Sequence, residues 1–193
     1  MSILLTGFEP FDGAETNPSW EAVRLVPDVV AGREVHRLRL PVVYGGAAEL
    51  LCREIALLQP ELVISCGVAN GRGSVTPELV AINYRHARIA DNAGRLCRGE
   101  AIIPGGPDAL MTRLPIHALI DAVQAAGIPC ALSLSAGAYV CNDVYFALLA
   151  AREAHGHRGL FIHVPGTDAV SAEDAARAIA ICAERALKED DHA

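Results

Sequence analysis

The sequence predicts an α/β protein in which residues 1–193 form a single domain. The predicted fold has three layers, α/β/α, around a mainly parallel, doubly wound sheet. Short β-branched runs alternate with longer segments that carry apolar residues at helical spacing, which is the order expected of βαβ units. The run Leu62–Cys66 is apolar except for the small residue Ser65, as is typical of a strand covered on both faces. With 193 residues, 52% of them hydrophobic, the chain is long enough to bury one sizeable core.

The first half of the chain alternates between the two kinds of element. A helix is predicted to begin at Asn17, because Pro18 suits a first helical position, and a second helix ends before Pro60. The predicted strands are Ile3–Thr6, Glu34–Leu40 and Leu62–Cys66, the predicted helices are Asn17–Val26 and Ala47–Gln59, and a further extended stretch runs from Glu78 to about Ala90.

The second half continues the same alternation. Gly127 ends one helix, and Ser171-x-x-Asp174 resembles a capping box at the start of the last. The predicted helices are Pro115–Ala126, Val140–Glu153 and Ser171–Leu187, and the predicted strands are Cys130–Ser135 and Leu160–Val164. The charged end Lys188–Ala193 is predicted to fray.

Composition excludes several classes of protein. A net charge of -7 argues against a nucleic-acid partner, and 5% aromatic residues leave few stacking platforms for single strands. No apolar stretch approaches the length of a transmembrane helix, and no basic segment precedes the first apolar run, so neither a membrane span nor a signal peptide is predicted. A cytoplasmic protein is expected.

The cysteines and histidines favour no metal site and no disulfide framework. No pair of cysteines has a Cys-x-x-Cys spacing, so reduced thiols are the better interpretation. His155 and His157 lie beside glycines in what is predicted to be a solvated loop, and we expect no metal and no cofactor there or elsewhere. The six cysteines are Cys52, Cys66, Cys97, Cys130, Cys141 and Cys182.

A functional site is predicted where the parallel strands end. In an open parallel sheet, ligands bind outside the carboxyl ends of the strands. The segments that meet this condition are Thr6-Gly7-Phe8, Cys66-Gly67-Val68, Ser135-Ala136-Gly137 and His163-Val164-Pro165.

One cysteine stands apart from the others at this edge. Cys141 follows a strand end and lies in the first turn of a predicted helix, where unpaired N–H groups and the helix dipole favour a thiolate. A small packing residue is an equally good interpretation of that position alone. His163 ends a neighbouring strand and could serve as the base, although a lone histidine on an apolar strand is more often a core residue. Glu78 could orient His163, or it is an ordinary exposed acid at a strand end.

Other chemistries find little support. The P-loop, the dinucleotide fingerprint and the Gly-x-Ser-x-Gly elbow are all absent. A phosphorylase acting on nucleosides would need a phosphate site, for which Gly71-Arg72-Gly73-Ser74 is the only weak candidate. A binding module without catalysis would keep an aromatic pocket at Phe8 and Phe11 and lack the Cys/His pair, and this chain has both.

The sequence resembles one family, pyroglutamyl peptidase I, over nearly its whole length. The resemblance comes in five ordered blocks, which makes chance similarity improbable. The blocks are Leu5-Thr6-Gly7-Phe8-Glu9-Pro10-Phe11 with Asn17-Pro18-Ser19, Gly71-Arg72 with Pro77-Glu78-Leu79-Val80-Ala81-Ile82-Asn83, Ala87-Arg88-Ile89-Ala90-Asp91-Asn92, Ser135-Ala136-Gly137-Ala138-Tyr139-Val140-Cys141-Asn142, and Phe161-Ile162-His163-Val164-Pro165.

The resemblance implies a hydrolase without cofactor or metal, a cysteine exopeptidase that removes N-terminal pyroglutamate (5-oxoproline) from peptides through a thioester acyl-enzyme. The family's catalytic triad falls on Cys141, His163 and Glu78. The family's substrate pocket falls on Phe8, Phe11, Ile89, Tyr139 and Val140, with Arg72 in a supporting place. Peptides with N-terminal pyroglutamate are the implied partners, and the family includes homo-oligomers such as dimers and tetramers.

Three positions depart from the family's pattern. Tyr139 stands where the family often has Phe, which adds a hydroxyl to the pocket wall. Ala90 replaces a proline and is expected to loosen its loop. Val68 occupies a place where a larger or polar residue such as Gln is expected.

Overall fold

The computed structural model describes residues 1–188, and the remainder of the predicted frayed end, 189–193, lies outside the described residues. Lys188 itself is the last residue of the final helix. In chain order, the elements are β1 (Ser2–Phe8), α1 (Pro18–Leu25), β2 (Val29–Val30), β3 (Arg33–Leu40), α2 (Gly46–Leu58), β4 (Leu62–Val68), β5 (Thr76–Glu78), β6 (Val80–Ile82), β7 (Arg85–His86), β8 (Arg98–Glu100), β9 (Ala109–Met111), α3 (Ile116–Ala125), α4 (Val140–His155), β10 (Arg158–Val164) and α5 (Ala172–Lys188).

The central sheet confirms the predicted architecture. Its strand order is β2-β3-β1-β4-β10-β5. The four inner strands pair in parallel, and only the short strands at the two edges, β2 and β5, are antiparallel to their neighbours. The carboxyl ends of β1, β4 and β10 therefore meet at one edge of the sheet.

Helices cover both faces of this sheet, which gives the three predicted layers. One face packs Ile3, Leu5 and Ile64 against α1, α3 and α5. The other packs Leu4, Val63 and Phe161 against α2 and α4. Because alternate residues of each strand point to opposite faces, a strand covered on both sides must be apolar throughout, as Leu62–Ile64 is. No helix within residues 1–188 combines the length and apolarity needed to cross a membrane.

Local signals at the helix starts are confirmed. The Asn17 side chain accepts a hydrogen bond from the N–H of Ser19 at 3.0 Å, with Pro18 as the first helical residue. Ser171 Oγ accepts a hydrogen bond from the N–H of Asp174 at 3.1 Å. The start of α1 lies directly against the end of β1, where a Cβ on Gly7 would be 2.8 Å from the Trp20 backbone. This close contact fixes where Phe8 leaves the sheet.

Two strand predictions were wrong in detail. Cys130–Ser135 is not a continuous strand: it runs parallel to Val75–Glu78, with isolated bridges from Cys130 to Val75 and from Ser133 to Glu78. A continuous ladder is not available because Pro77, in the middle of β5, has no N–H to donate. The predicted extended stretch from Glu78 to Ala90 is divided into the end of β5, β6 and β7, and the latter two pair with β9 and β8 in separate small sheets.

Candidate active site

The predicted histidine and glutamate meet at the carboxyl edge of the sheet. His163 is one residue from the end of β10, and β5 runs antiparallel beside it with Glu78 opposite Phe161. Glu78 is fully buried, and its Oε1 lies 2.7 Å from His163 Nδ1. Since an ionised carboxylate only accepts hydrogen bonds, Nδ1 carries the proton and donates it. This arrangement leaves His163 Nε2 with a free lone pair, which is the state required of a general base.

Cys141 lies beside this pair, on the same side of the sheet. It occupies the first turn of α4, after the N-cap residue Tyr139. Its Sγ rests over β4, because a Cβ built on Gly67 would lie only 2.7 Å from that sulfur. Gly67 is the register partner of His163 on the neighbouring strand. The missing side chain at Gly67 therefore provides the space in which the thiol reaches the level of His163.

The start of α4 also supplies hydrogen-bond donors next to the thiol. The first N–H groups of a helix have no acceptor within it. Those of Asn142 and Asp143 bond back to the Tyr139 carbonyl at 3.1 Å and 3.2 Å. The N–H groups of Val140 and Cys141 precede them in the same turn, and N–H groups at a helix start can stabilise negative charge on a nearby oxygen.

Electrostatics correct the prediction that the helix start yields a resting thiolate. Burial, with a smaller contribution from the negative charge of Glu78, raises the pKa of Cys141 to about 12, and this outweighs the opposing effects of its own N–H and of Arg72. Burial also lowers the pKa of His163, despite its hydrogen bond to Glu78. The resting pair is therefore a neutral thiol beside a neutral imidazole, and the nucleophile has to form by proton transfer during attack.

Glu78 remains ionised in this setting. Burial acts to raise its pKa, but the hydrogen bond from His163, the positive charge that this ring carries when protonated, and the hydrogen bonds from Ser133 and Arg72 outweigh that effect and hold the pKa below the usual value. Arg72 donates from Nη1 to Glu78 Oε1 at 2.8 Å and from Nη2 to the Ser135 carbonyl at 3.2 Å. The guanidinium thus serves the site internally, which argues against the phosphate site considered for Gly71–Ser74.

A cavity of about 480 Å³ opens above Cys141 and His163. It holds most of the pocket residues named from the sequence, and Glu78 lies behind His163 and not on the wall. Ile89 is 41% exposed and is not part of the lining in this conformation. The lining consists of Phe8, Phe11, Asn17, Val42, Val68, Ala69, Arg72, Ser135, Ala136, Gly137, Tyr139, Val140, Cys141 and His163.

The Tyr139 hydroxyl forms its hydrogen bond with a residue outside the cavity lining. It donates to the carbonyl of Ala90 at 3.0 Å, so the two departures at these positions are joined by a hydrogen bond. The Tyr139 ring packs at 5.5 Å on Tyr44 and at 6.2 Å on Phe11, between ring centroids. The ring therefore forms pocket wall, and the added hydroxyl holds the loop that carries Ile89.

Sequence reasoning missed the residues that anchor the start of α4. The Asn142 side chain bonds the backbone of Ile82 in both directions, at 2.9 Å and 2.8 Å. Asp143 accepts from Arg85 Nε at 2.6 Å and from the N–H of Gly45 at 2.8 Å. Both side chains are fully buried. The available signal was a pair of polar residues directly after the cysteine, inside an otherwise apolar helix.

One further expectation was wrong. His157 does not lie in a solvated loop: it is 2% exposed, and its Nε2 is 3.0 Å from the Leu148 carbonyl. The chain folds back here because β10 begins at the next residue, Arg158, so His157 is covered by α4. Within residues 1–188 no cluster of three or more His, Cys, Asp or Glu side chains is arranged to hold a metal ion.

Comparison with known proteins identifies the family. A family model described as pyroglutamyl peptidase matches residues 1–189. The pyrrolidone-carboxylate peptidase of Thermococcus onnurineus is 47% identical over 167 residues, which are 86% of this chain and 84% of that protein. Pyrrolidone-carboxylate peptidase 1 of Ralstonia nicotianae is 45% identical over 167 residues, covering 85% of this chain and 78% of that protein.

Solved structures agree with this result. The crystal structure of pyroglutamyl peptidase I from Bacillus amyloliquefaciens superposes with a TM-score of 0.91 at 38% identity, over 97% of this chain and 95% of that one. A mutant pyrrolidone carboxyl peptidase from the hyperthermophile Pyrococcus furiosus gives a TM-score of 0.92 at 34% identity, over 98% and 100%. The chain therefore belongs to the pyroglutamyl peptidase family of cysteine peptidases.

Proposed function

We propose that this chain removes the N-terminal pyroglutamyl residue from peptides, with Cys141 as nucleophile, His163 as general base and acid, and Glu78 as the group that orients His163. The observation that carries the proposal is the 2.7 Å contact between Glu78 Oε1 and His163 Nδ1, in a layer where Cys141 Sγ lies over the register partner of His163. A nucleophile, a base and a group that orients the base form the recurring arrangement for covalent acyl transfer.

The chemistry follows from the neutral resting pair. As the Cys141 sulfur attacks the pyroglutamyl carbonyl carbon, its proton passes to His163 Nε2, and the carbonyl oxygen becomes an oxyanion beside the N–H groups of Val140 and Cys141. When the C–N bond breaks, His163 returns the proton to the leaving amine and a thioester remains. Water then attacks the thioester, giving a proton to His163, and the C–S bond breaks to release pyroglutamate and restore the thiol.

The cavity suits a small uncharged ring. Phe8, Phe11, Tyr139 and Val140 provide apolar wall, and we expect Ile89 to join them when substrate binds. No acidic residue lines the cavity among the described residues, whereas Arg72 does. An ordinary N-terminal ammonium would thus lose its hydration without gaining a partner, while a lactam carries no charge to desolvate.

The deciding test is hydrolysis of a pyroglutamyl coumarin amide by the wild-type protein and by Cys141→Ala. Cys52→Ala is a matched control, because Cys52 is also a half-buried free cysteine but lies on α2. We expect wild type and Cys52→Ala to hydrolyse the substrate and an alkylating agent to inhibit both. Cys141→Ala is expected to show no turnover. Absence of wild-type turnover, or full turnover by Cys141→Ala, would reject the proposal.

Two further expectations accompany this function. Six cysteines that are all free support the expectation that the protein works in the cytoplasm, which fractionation of the source cells would test. A homo-oligomer, dimer or tetramer, is the second expectation, and light scattering of the purified protein would test it.

A further inference from the structure

We propose that Arg72 is a positioning residue of this triad: its guanidinium keeps Glu78 anionic behind His163 and ties that pair to the loop that leads into Cys141. The inference rests on the proposed peptidase function and deepens it. The Arg72 side chain contacts β5 at Thr76 and Glu78, and the loop before α4 at Ser135.

The first contact is with the buried carboxylate. Glu78 Oε1 accepts two hydrogen bonds, from His163 Nδ1 at 2.7 Å and from Arg72 Nη1 at 2.8 Å. Glu78 is fully buried, and an unpaired carboxylate in such a place would take up a proton. A protonated Glu78 would no longer fix the Nδ1–H form of His163, because its hydroxyl could donate to that nitrogen instead. The fixed charge of Arg72 prevents this loss.

The second contact is with the loop before the nucleophile. Arg72 Nη2 donates to the Ser135 carbonyl at 3.2 Å, and Nη1 also donates to Thr76 Oγ1. Ser135 belongs to the segment that leads into α4, and Thr76 is the register partner of His163. A planar guanidinium with several donors can serve these acceptors together, which the single ammonium of a lysine cannot do.

The charged and titratable groups around Glu78 and His163 come from every element packed there. They are Arg72 from the loop after β4, Cys141 and Tyr145 from α4, and the pair itself. Tyr145 Oη donates to the Glu78 backbone carbonyl at 2.7 Å, and burial raises its pKa beyond the working range, so it stays neutral. Arg72 is thus the permanent cation of the group. It opposes protonation of both Glu78 and His163.

This arrangement predicts a change in pH dependence when Arg72 is replaced. In Arg72→Met, Glu78 and His163 both bind protons more readily, so the acid limb of kcat/KM moves to higher pH by about one unit. At neutral pH, kcat falls about tenfold to a hundredfold, the usual effect of losing a hydrogen bond to a charged group. Arg72→Lys keeps the charge and brings the acid limb back toward the wild-type position. A residue with a merely structural role would lower the rate equally at every pH.

The test is the pH profile of pyroglutamyl coumarin amide hydrolysis for wild type, Arg72→Met, Arg72→Lys and Arg113→Met. Arg113 is a matched control, because its side chain is exposed and paired with exposed Glu153 at the other end of the sheet. Arg113→Met is expected to match wild type. The inference would be overturned if the acid limb of kcat/KM in Arg72→Met lay at the wild-type pH. It would also be overturned if Arg72→Met lost the same factor in rate at every pH and Arg72→Lys recovered none of it.

A double variant keeps the test decisive if Arg72→Met folds poorly. In a Glu78→Gln background the anionic partner of Arg72 is gone and only the contacts to Ser135 and Thr76 remain to be lost, so adding Arg72→Lys is expected to cost a smaller factor than it does in the wild-type background. Equal losses in both backgrounds would overturn the inference. These outcomes are separate from failure of the proposed function, which would appear as wild-type protein without turnover or as active Cys141→Ala.

Discussion

Cavities of nearly equal volume lie at the two ends of the central sheet. The cavity at the carboxyl ends of the strands has a volume of about 480 Å³. The cavity at the amino end of β10 has a volume of about 490 Å³, and its lining includes Arg113, Arg152, Glu153 and His157. Each contains a buried histidine, and burial lowers the pKa of both His163 and His157. Neither cavity volume nor a shifted histidine pKa therefore distinguishes the proposed active site from the opposite end.

The partners of the two histidines make the difference. His163 Nδ1 faces the carboxylate of Glu78 at 2.7 Å, and Cys141 lies in the same cavity. His157 Nε2 faces the Leu148 carbonyl at 3.0 Å, and no thiol lines its cavity among the described residues. A backbone carbonyl can hold an imidazole in place, but it cannot stabilise the imidazolium as a carboxylate does. A buried histidine is thus suited to catalysis when a carboxylate and a nucleophile lie beside it.

Replacing the histidine of the proposed active site should have the largest effect. His163→Gln keeps a side chain that can donate to Glu78, but it removes the group that carries the proton. We expect kcat/KM for a pyroglutamyl coumarin amide to fall at least about a thousandfold, with the folded state retained in circular dichroism. Turnover within tenfold of wild type would contradict the claim that His163, unlike His157, is required for the reaction.

Neutralising the carboxylate should have the next largest effect. Glu78→Gln removes the charge that stabilises the His163 imidazolium, and we expect kcat to fall about a hundredfold or more. Glu78 raises the pKa of His163 against the effect of burial. Its loss lowers that pKa further, so the remaining activity should persist to lower pH than in wild type. A pH profile of kcat/KM measures this shift, which is opposite in direction to the shift expected for Arg72→Met. An acid limb at higher pH would contradict the assignment.

Removing one hydroxyl from the pocket wall should have a modest effect. Tyr139→Phe keeps the ring and loses the hydrogen bond to the Ala90 carbonyl. The loop that carries Ile89 should loosen, and we expect KM to rise about fivefold, equivalent to one ordinary hydrogen bond, with kcat nearly unchanged. Tyr84→Phe is the control, because Tyr84 is 45% exposed and lies outside the cavity lining. Equal effects of the two substitutions would argue against a role for the loop.

The histidine at the opposite end should affect stability alone. His157→Ala removes the hydrogen bond between the ring and the Leu148 carbonyl and opens a small void. We expect the free energy of unfolding to fall by roughly 1–3 kcal/mol in urea titrations, with kcat/KM unchanged. Loss of activity in protein that is still folded would show that the amino end contributes to the reaction.

Much of the candidate site could be proposed from the sequence because its signals are local. The strand ends, the helix start at Cys141 and the blocks around Glu78 and His163 can each be identified within a few residues. The raised pKa of Cys141, the bond from Arg72 to Glu78 and the contact of Tyr139 with Ala90 depend on residues far apart in sequence. Each of these features depends on tertiary packing, which cannot be inferred from local sequence periodicity. The same reason explains why Cys130–Ser135 and His157 were misjudged.

The parallel pairing of β4 with β10 has a consequence for how activity arises. His163 reaches Gly67 only after the chain between residues 68 and 158 has been folded aside, and pairings of such long sequence separation form slowly. Phe8 and the first strands can assemble earlier, but they carry no reactive group. A growing chain therefore remains inert until its last third has been synthesised and docked. Regain of activity during refolding should then coincide with the completion of native topology.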